Sequence, residues 1–178
     1  LLTKKYFWLF KKKKKIDKES RLFNKKLGGG CILDLGCYPV SFITMLLEKL
    51  NFINFEDYKV LNKKVEIGET GVDIDSKIEM KVNGKITIKL SSSFKQNIGF
   101  ATKIHGSRGS IEIINTWMGS PSIILKKENN KNIIRFDQID DIYFDQLNII
   151  SNDLLNKSNG QNIDNMLLNM KIIDQWLN

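Results

Sequence analysis

Asp34 and Tyr38 lie four residues apart in the stretch Gly28–Met45, GGGCILDLGCYPVSFITM. On a helix that spacing sets a carboxylate and a phenol on one face, a turn apart. Both side chains can hold a proton, and both stand in a segment that is otherwise apolar. A structural reading fits them as well. A tyrosine in such a run belongs to the core, its hydroxyl bonded to a nearby acceptor, and an aspartate can accept from neighbouring backbone amides. Spacing alone leaves the two readings open.

Other chemistry finds less support. Cys31 and Cys37 are six residues apart and do not meet across one helical turn, so no local disulfide is expected. With one histidine in the chain, no zinc or other metal site is expected. That histidine, His105, falls at a strand–turn junction and receives no catalytic role. The triplet Gly28-Gly29-Gly30 lacks the third spaced glycine and the preceding strand of a dinucleotide fingerprint. It is expected to serve close backbone packing at a helix start, not to cradle phosphate.

The elements that must position Asp34 and Tyr38 follow from periodicity. A helix is predicted over about 30–50, with a kink or restart at Pro39, just after Tyr38. Tyr58 to Ile67 reads as a strand. Ile74, Ile78, Met80 and Val82 share one face of the next strand, and Asn83-Gly84 marks a hairpin whose return strand carries Ile86, Ile88 and Leu90. Phe100–His105 and Ile111–Ile114 pair around Gly106–Gly109, and Ile123–Lys127 pairs with Asn132–Phe136 around Asn129-Asn130. Two helical stripes close the chain: Phe144, Leu147, Ile150 and Leu154, then, after a break at Ser158–Gly160, Ile163, Met166, Leu167, Met170, Ile173 and Leu177. Both are expected to be core. The pattern predicts an α+β fold, a largely antiparallel open sheet with helices packed on one face.

The 178 residues suit one ordinary domain. Residues 1–26 form a basic strand remnant (YFWLF) and loop, and 27–178 form the domain proper. The first 26 residues hold eleven Lys or Arg against two acids, while the rest of the chain is nearly neutral. The charge of +8 is therefore a property of that arm. A solvated surface accounts for it, and without an aromatic platform or a nucleic-acid module neither nucleic acid nor membrane is an expected partner. No stretch reaches the roughly 20 apolar residues of a membrane span. Two unpaired cysteines point to the cytoplasm. A chain that starts at Leu1 reads as part of a longer product.

The string from Arg21 to Ser41, RLFNKKLGGGCILDLGCYPVS, resembles a signature of the glucose–fructose oxidoreductase, inositol dehydrogenase and dihydrodiol dehydrogenase family: a glycine pair, small and apolar residues, then Asp-x-Gly-x-Tyr or His. The match falls on Gly29, Gly30, Asp34, Gly36 and Tyr38. An Arg-x-Phe stretch before the glycines is similar to the dihydrodiol dehydrogenase branch. Gly71-Val-Asp73, Ile104–Ile111 and Asn165–Trp176 extend the resemblance, which covers about residues 20–178.

This resemblance implies the substrate-binding and oligomerising second domain of a two-domain dehydrogenase, with the Rossmann domain absent from this chain. It implies oxidation of the CH–OH group of a sugar, diol or related polyol, with NAD or NADP bound mainly by the missing domain, and a homo-oligomer formed through the open sheet face. Tyr38 would then handle the hydroxyl proton. A free phenol, with a pKa of about 10, needs a nearby cation for that work, and the family supplies a lysine from a Glu-Lys-Pro motif that this chain lacks. Asp34 would hold the substrate hydroxyl or orient its neighbours, and Arg21 is a candidate for substrate or cofactor contact. On this reading the chain alone is inactive. The alternatives are a non-catalytic binding or oligomerisation module of the same fold, and an anionic-surface binder using residues 4–26.

Overall fold

The computed structural model describes residues 17–50, 58–119, 122–128, 130–136, 143–156 and 163–178. The expected strand remnant at 1–10 and the break at 158–160 lie outside them. The fold is α+β, as expected, and its antiparallel strands fall in two sheets. They belong to two compact units, Leu1–Ile98 with Asn162–Asn178, and Gly99–Gln161.

The first unit carries Arg21, Asp34 and Tyr38. Strands β1 (Tyr58–Ile67), β2 (Asp73–Val82) and β3 (Ile86–Ser93) form its sheet in sequence order. The β2–β3 turn is tight because Asn83 and Gly84 both take positive φ (49° and 63°), the geometry that matches the twist of a hairpin. Ile78, Met80 and Val82 of β2 and Ile88 and Leu90 of β3 turn inward. They pack with Cys31, Ile32, Val40, Leu47, Ile172, Ile173 and Trp176 in one core.

Two short 3-10 turns, Arg21–Phe23 and Lys25–Leu27, precede the helical run. That run is not uniform. Ile32–Gly36 is wound as a π-helix, and helix α1 spans Cys37–Lys49. The expected break near Pro39 exists, but the change of winding comes before Tyr38. A proline ring presses on the carbonyl four residues back. Here that residue is Leu35, inside the wider π turn, and Pro39 itself sits in the first turn of α1. Gly36 ends the π segment where the Trp176 ring crosses it; a Cβ there would stand 3.0 Å from the indole.

The 25-residue stretch Lys25–Lys49, from the second 3-10 turn to the end of α1, is long and apolar enough to cross a membrane by length and composition. This corrects the expectation that no stretch is. Its buried residues, Ile32, Val40, Thr44 and Leu47 among them, face the sheet and the last helix, as in a core helix.

The second unit is a meander, β4 (Thr102–Gly106), β5 (Gly109–Ile113), β6 (Ser122–Lys127) and β7 (Asn130–Arg135), with helix α2 (Phe144–Asn156). Both expected hairpins are present. The expected core stripe of α2 is not: Phe144, Leu147, Ile150 and Leu154 are exposed.

The last helix, α3 (Ile163–Leu177), returns to the first unit. Its buried face is also displaced from the expected stripe. Ile172, Ile173 and Trp176 are buried, with Leu168 and Leu177 partly so, while Met166, Leu167 and Met170 are exposed. Trp176 decides the face, because burying an indole removes more apolar surface from water than burying any other side chain.

The Trp176 Nε1–H is buried and finds no acceptor among the described residues. Trp176→Ala should therefore cost about 3–5 kcal/mol in urea unfolding. Trp176→Phe should cost markedly less, because it removes the unsatisfied donor along with the lost volume.

Candidate functional site

The site is built around the start of the helical run. The first N–H groups of a helix have no partner within it. Cys31, the local cap residue, is itself in helical conformation and offers no side-chain bond. The acceptor comes from the sheet: Asp73 Oδ2 accepts from the Ile32 N–H at 2.6 Å. Asp73 is 4% exposed, which a carboxylate tolerates only with such bonds.

Strand alternation places Ile74, not Asp73, on the face of Ile78, Met80 and Val82. A bulge reverses this. Glu66 pairs with Asp75 and Ile67 with Asp73, so Ile74 is the extra residue. The bulge turns Asp73 inward, and Ile74, expected on the core face, is only half-buried and packs over Gly68.

Gly29 and Gly30 answer to close approach, as expected, whereas Gly28 has room beside it and is called for by its left-handed φ of 71°. A Cβ on Gly29 would press on the Arg21 and Leu22 carbonyls at 2.7 Å, and one on Gly30, whose φ is 125°, would overlap Asp73 Oδ1. In that space the Gly29 and Gly30 N–H groups donate to the Asn24 and Leu22 carbonyls at 3.0 and 2.9 Å. Phe23 packs against Phe94, just past the end of β3, with tilted rings whose centroids are 5.4 Å apart. The turn carrying Arg21 is thus fastened to both helix and sheet.

Arg21 and Asp34 meet in consequence. Arg21 Nη2 lies 2.9 Å from Asp34 Oδ1, with the aspartate side chain 22% exposed and the arginine 72%. Asp34 is held from behind by its N–H, which donates to the Gly30 carbonyl at 3.1 Å. Tyr38 follows one turn later, 57% exposed. It lines an open groove of about 460 Å³ with Cys37, Ser41, Met166, Asn169, Met170 and Ile173.

That groove lies between α1 and α3, which run antiparallel. At its far end the Thr44 hydroxyl donates to Asn169 Oδ1 at 2.7 Å and Asn165 Nδ2 donates to Glu48 Oε2 at 2.6 Å. With the Asn169 carbonyl engaged, methionine and isoleucine side chains dominate the remaining surface. The methionines assigned to the core by the stripe on α3 therefore line the space beside Tyr38. A groove between two helices has no signature in either helix alone. Asp73 was equally hidden: a lone acid opening a strand gives no sign that a bulge will aim it.

Both cysteines are free. The Cys31 Sγ lies 3.4 Å from the Ser92 carbonyl, and the Ser92 hydroxyl donates to it at 3.4 Å. Burial pushes the Cys31 thiol up to about 12, the Ser92 hydrogen bond working against the rise and Asp73 adding to it. Burial also raises the Cys37 thiol, which donates to the Asp34 carbonyl.

The glycine-rich start of the helical run does not fit a dinucleotide's phosphates. The helix start that would receive an anion already holds the Asp73 carboxylate, and the space beside Gly29 and Gly30 is filled by backbone and by that acid.

A family model described as the GFO/IDH/MocA C-terminal domain matches residues 5–112. A trans-1,2-dihydrobenzene-1,2-diol dehydrogenase of Xenopus tropicalis is 34% identical over 116 residues, 65% of this chain and 33% of that protein. Its counterpart in Xenopus laevis is 33% identical over 111 residues, 62% of this chain and 32% of that protein. The chain thus spans about a third of the length of these relatives. Among solved structures, a 3-ketoreductase from Actinomadura kijaniata in complex with NADP and TDP-benzene superposes with a TM-score of 0.76 at 12% identity, over 89% of this chain and 48% of that one. An aldose-aldose oxidoreductase from Caulobacter crescentus, complexed with glycerol, gives 0.72 at 17% identity, over 90% and 48%.

The raised Cys31 thiol makes stability depend on pH. The unfolded chain ionises near the ordinary value of 9.0 and the folded protein only near 12. The stabilisation is complete below pH 9 and is lost as pH rises towards 12, by up to about 1.4 kcal/mol per pH unit. Urea unfolding at pH 8 to 11 should show a steeper decline for the natural protein than for Cys31→Ala.

Proposed function

The chain belongs to the GFO/IDH/MocA family, as its C-terminal domain, and on that premise we propose that it is the substrate-binding half of an NAD(P)-dependent oxidoreductase acting on a CH–OH group. The observation that supports this most is the placing of Tyr38. It stands exposed at the mouth of an apolar groove, one turn from the Arg21–Asp34 ion pair.

Oxidation of an alcohol carbon removes a hydride and a proton. In this reading the residues described here handle the proton. Tyr38 takes it from the substrate hydroxyl in oxidation and returns it in reduction. Asp34, fixed by Arg21, accepts a hydrogen bond from the neighbouring hydroxyl and so orients the reacting one. Arg21 positions Asp34 and, being largely exposed, keeps donors free towards the substrate. The hydride acceptor is NAD or NADP, bound mainly by residues outside those described. The cation that a phenol requires to act near neutrality comes from the same side.

Of the substrate classes within reach, a diol with an apolar body fits the groove better than a sugar or other polyol. Met166, Met170 and Ile173 offer surface and no hydrogen bonds, and the hydroxyls of a sugar would go unpaired against them. The names of the two amphibian relatives agree with this reading. We also place the protein in the cytoplasm, on its free cysteines, and take it to be a homo-oligomer through an open sheet face; β7, exposed along its length, is an edge strand of the second sheet.

The test uses the complete protein that carries this chain, with trans-1,2-dihydrobenzene-1,2-diol and NADP or NAD. Tyr38→Phe and Asp34→Asn should each lower kcat by about 100-fold or more while the unfolding midpoint stays in place. Met170→Lys should raise KM for the diol by about 10-fold with little change in kcat. Unchanged turnover in Tyr38→Phe and Asp34→Asn would overturn the catalytic reading and favour a non-catalytic module.

A further inference from the structure

We propose that Asp73 is a positioning residue for the reaction: through the Ile32 N–H it sets the start of the helical run, and with it the place of Asp34 against Arg21. The inference rests on the catalytic reading of Asp34 and Tyr38 given above.

Three observations carry it. First, the bond is long-range. Asp73 opens β2, 41 residues beyond Ile32, and reaches it at 2.6 Å. Second, two local features permit that reach. The bulge at Ile74 turns Asp73 inward, and the missing side chain of Gly30 leaves room for its carboxylate. Third, the chain from the anchored amide to the site is short and continuous. Gly30 presents its carbonyl to the Asp34 N–H at 3.1 Å and its N–H to the Leu22 carbonyl at 2.9 Å. Leu22 adjoins Arg21, which meets Asp34 at 2.9 Å. Displacing the Ile32 amide therefore shifts Gly30, and Gly30 touches both sides of the Arg21–Asp34 pair.

A π segment makes the anchor more necessary. Its winding is less favourable than that of the α-helix, and such turns persist where tertiary contacts hold them. Without Asp73 at one end, Trp176 against Gly36 at the other does not by itself fix how many residues the segment spans.

The test is made on the complete protein with the same diol and nucleotide, well below the unfolding midpoint of each variant. Asp73→Ala should lower kcat by about 10- to 100-fold, the scale of a small misplacement of reacting groups, with nucleotide affinity unchanged. Asp73→Asn retains an acceptor and should restore turnover to within about 5-fold of the natural protein. Asp34→Asn should cost far less in the Asp73→Ala background than in the natural one, since the two act in series. Should Asp73→Ala fail to fold, Asp73→Ser, one bond too short to reach Ile32, takes its place. Independent effects of Asp73 and Asp34, or turnover unaffected by Asp73→Ala, would overturn the inference.

A second readout does not require activity. Hydrogen exchange of the Asp34 amide should quicken about 10-fold or more in Asp73→Ala, while the Ile78 and Ile88 amides keep their protection. If Asp34→Asn alone leaves turnover intact, the catalytic reading fails, and exchange still judges the anchor. If Asp34→Asn abolishes turnover and the Asp34 amide stays protected in Asp73→Ala, only the positioning inference falls.

Discussion

The first unit depends on one buried charge-assisted bond between sheet and helix. A carboxylate taken from water must recover its hydration from fixed donors, and a helix start has donors with nothing to bind. Asp73 and the Ile32 N–H answer both needs at once, and the positive end of the helix dipole favours the charge further. Each partner is costly without the other, so the bond ties β2 to the helical run more firmly than apolar packing would. Apolar faces can slide by a residue; an acid aimed at one amide cannot. Gly30 without a side chain, Cys31 enclosed beside Ser92 and the bulge at Ile74 are all consequences of this junction.

Further along, the same run is held by size and shape. Gly36 admits the Trp176 ring, and the two polar pairs Thr44–Asn169 and Glu48–Asn165 fix the far end of α1 against α3. Between those fastenings the helices part enough to leave a groove. Cys37, Tyr38 and Ser41 project into it from one side and methionines from the other. Methionine suits such a wall, because an unbranched thioether adapts to the outline of an apolar guest. The site is thus rigid where the carboxylate and guanidinium stand and adaptable where the body of a ligand would rest.

Much of this was legible in the sequence, for identifiable reasons. The period-two runs from Ile78 to Leu90 and the Asn83-Gly84 turn express local preferences that tertiary packing reinforces, and Ile78, Met80, Val82, Ile88 and Leu90 lie where alternation places them. Arg21, Asp34 and Tyr38 were found through their pattern with the glycines, and the structure brings the first two into contact. What escaped detection depends on register. Over five residues a π turn displaces the apolar pattern by less than one position, so Ile32–Gly36 looks like ordinary helix. One extra residue at Ile74 exchanges the faces of its neighbours and hides Asp73. On α3 the stripe through the methionines lies about one residue away from the face that Trp176 buries. On α2 the apolar stripe is real, but periodicity says only that a face is apolar, not that the chain itself covers it.

The acid at the helix start also bears on how labour is divided in such an enzyme. A helix that opens after glycines is a natural anion receptor, and the triplet Gly28–Gly30 invites that reading. Here the receptor is filled from within. The carboxylate of Asp73 occupies the donors that a phosphate would use and sets a like charge in its way, while the glycines give their space to backbone and to that same acid. This helix start therefore offers no open donors to a phosphate. The surface near Tyr38 and the Arg21–Asp34 pair stays exposed beside it. The same junction also explains why glycine-rich sequence and helix start occur here together without a fingerprint: close packing at Gly29 and Gly30 and a left-handed turn at Gly28 call for glycine.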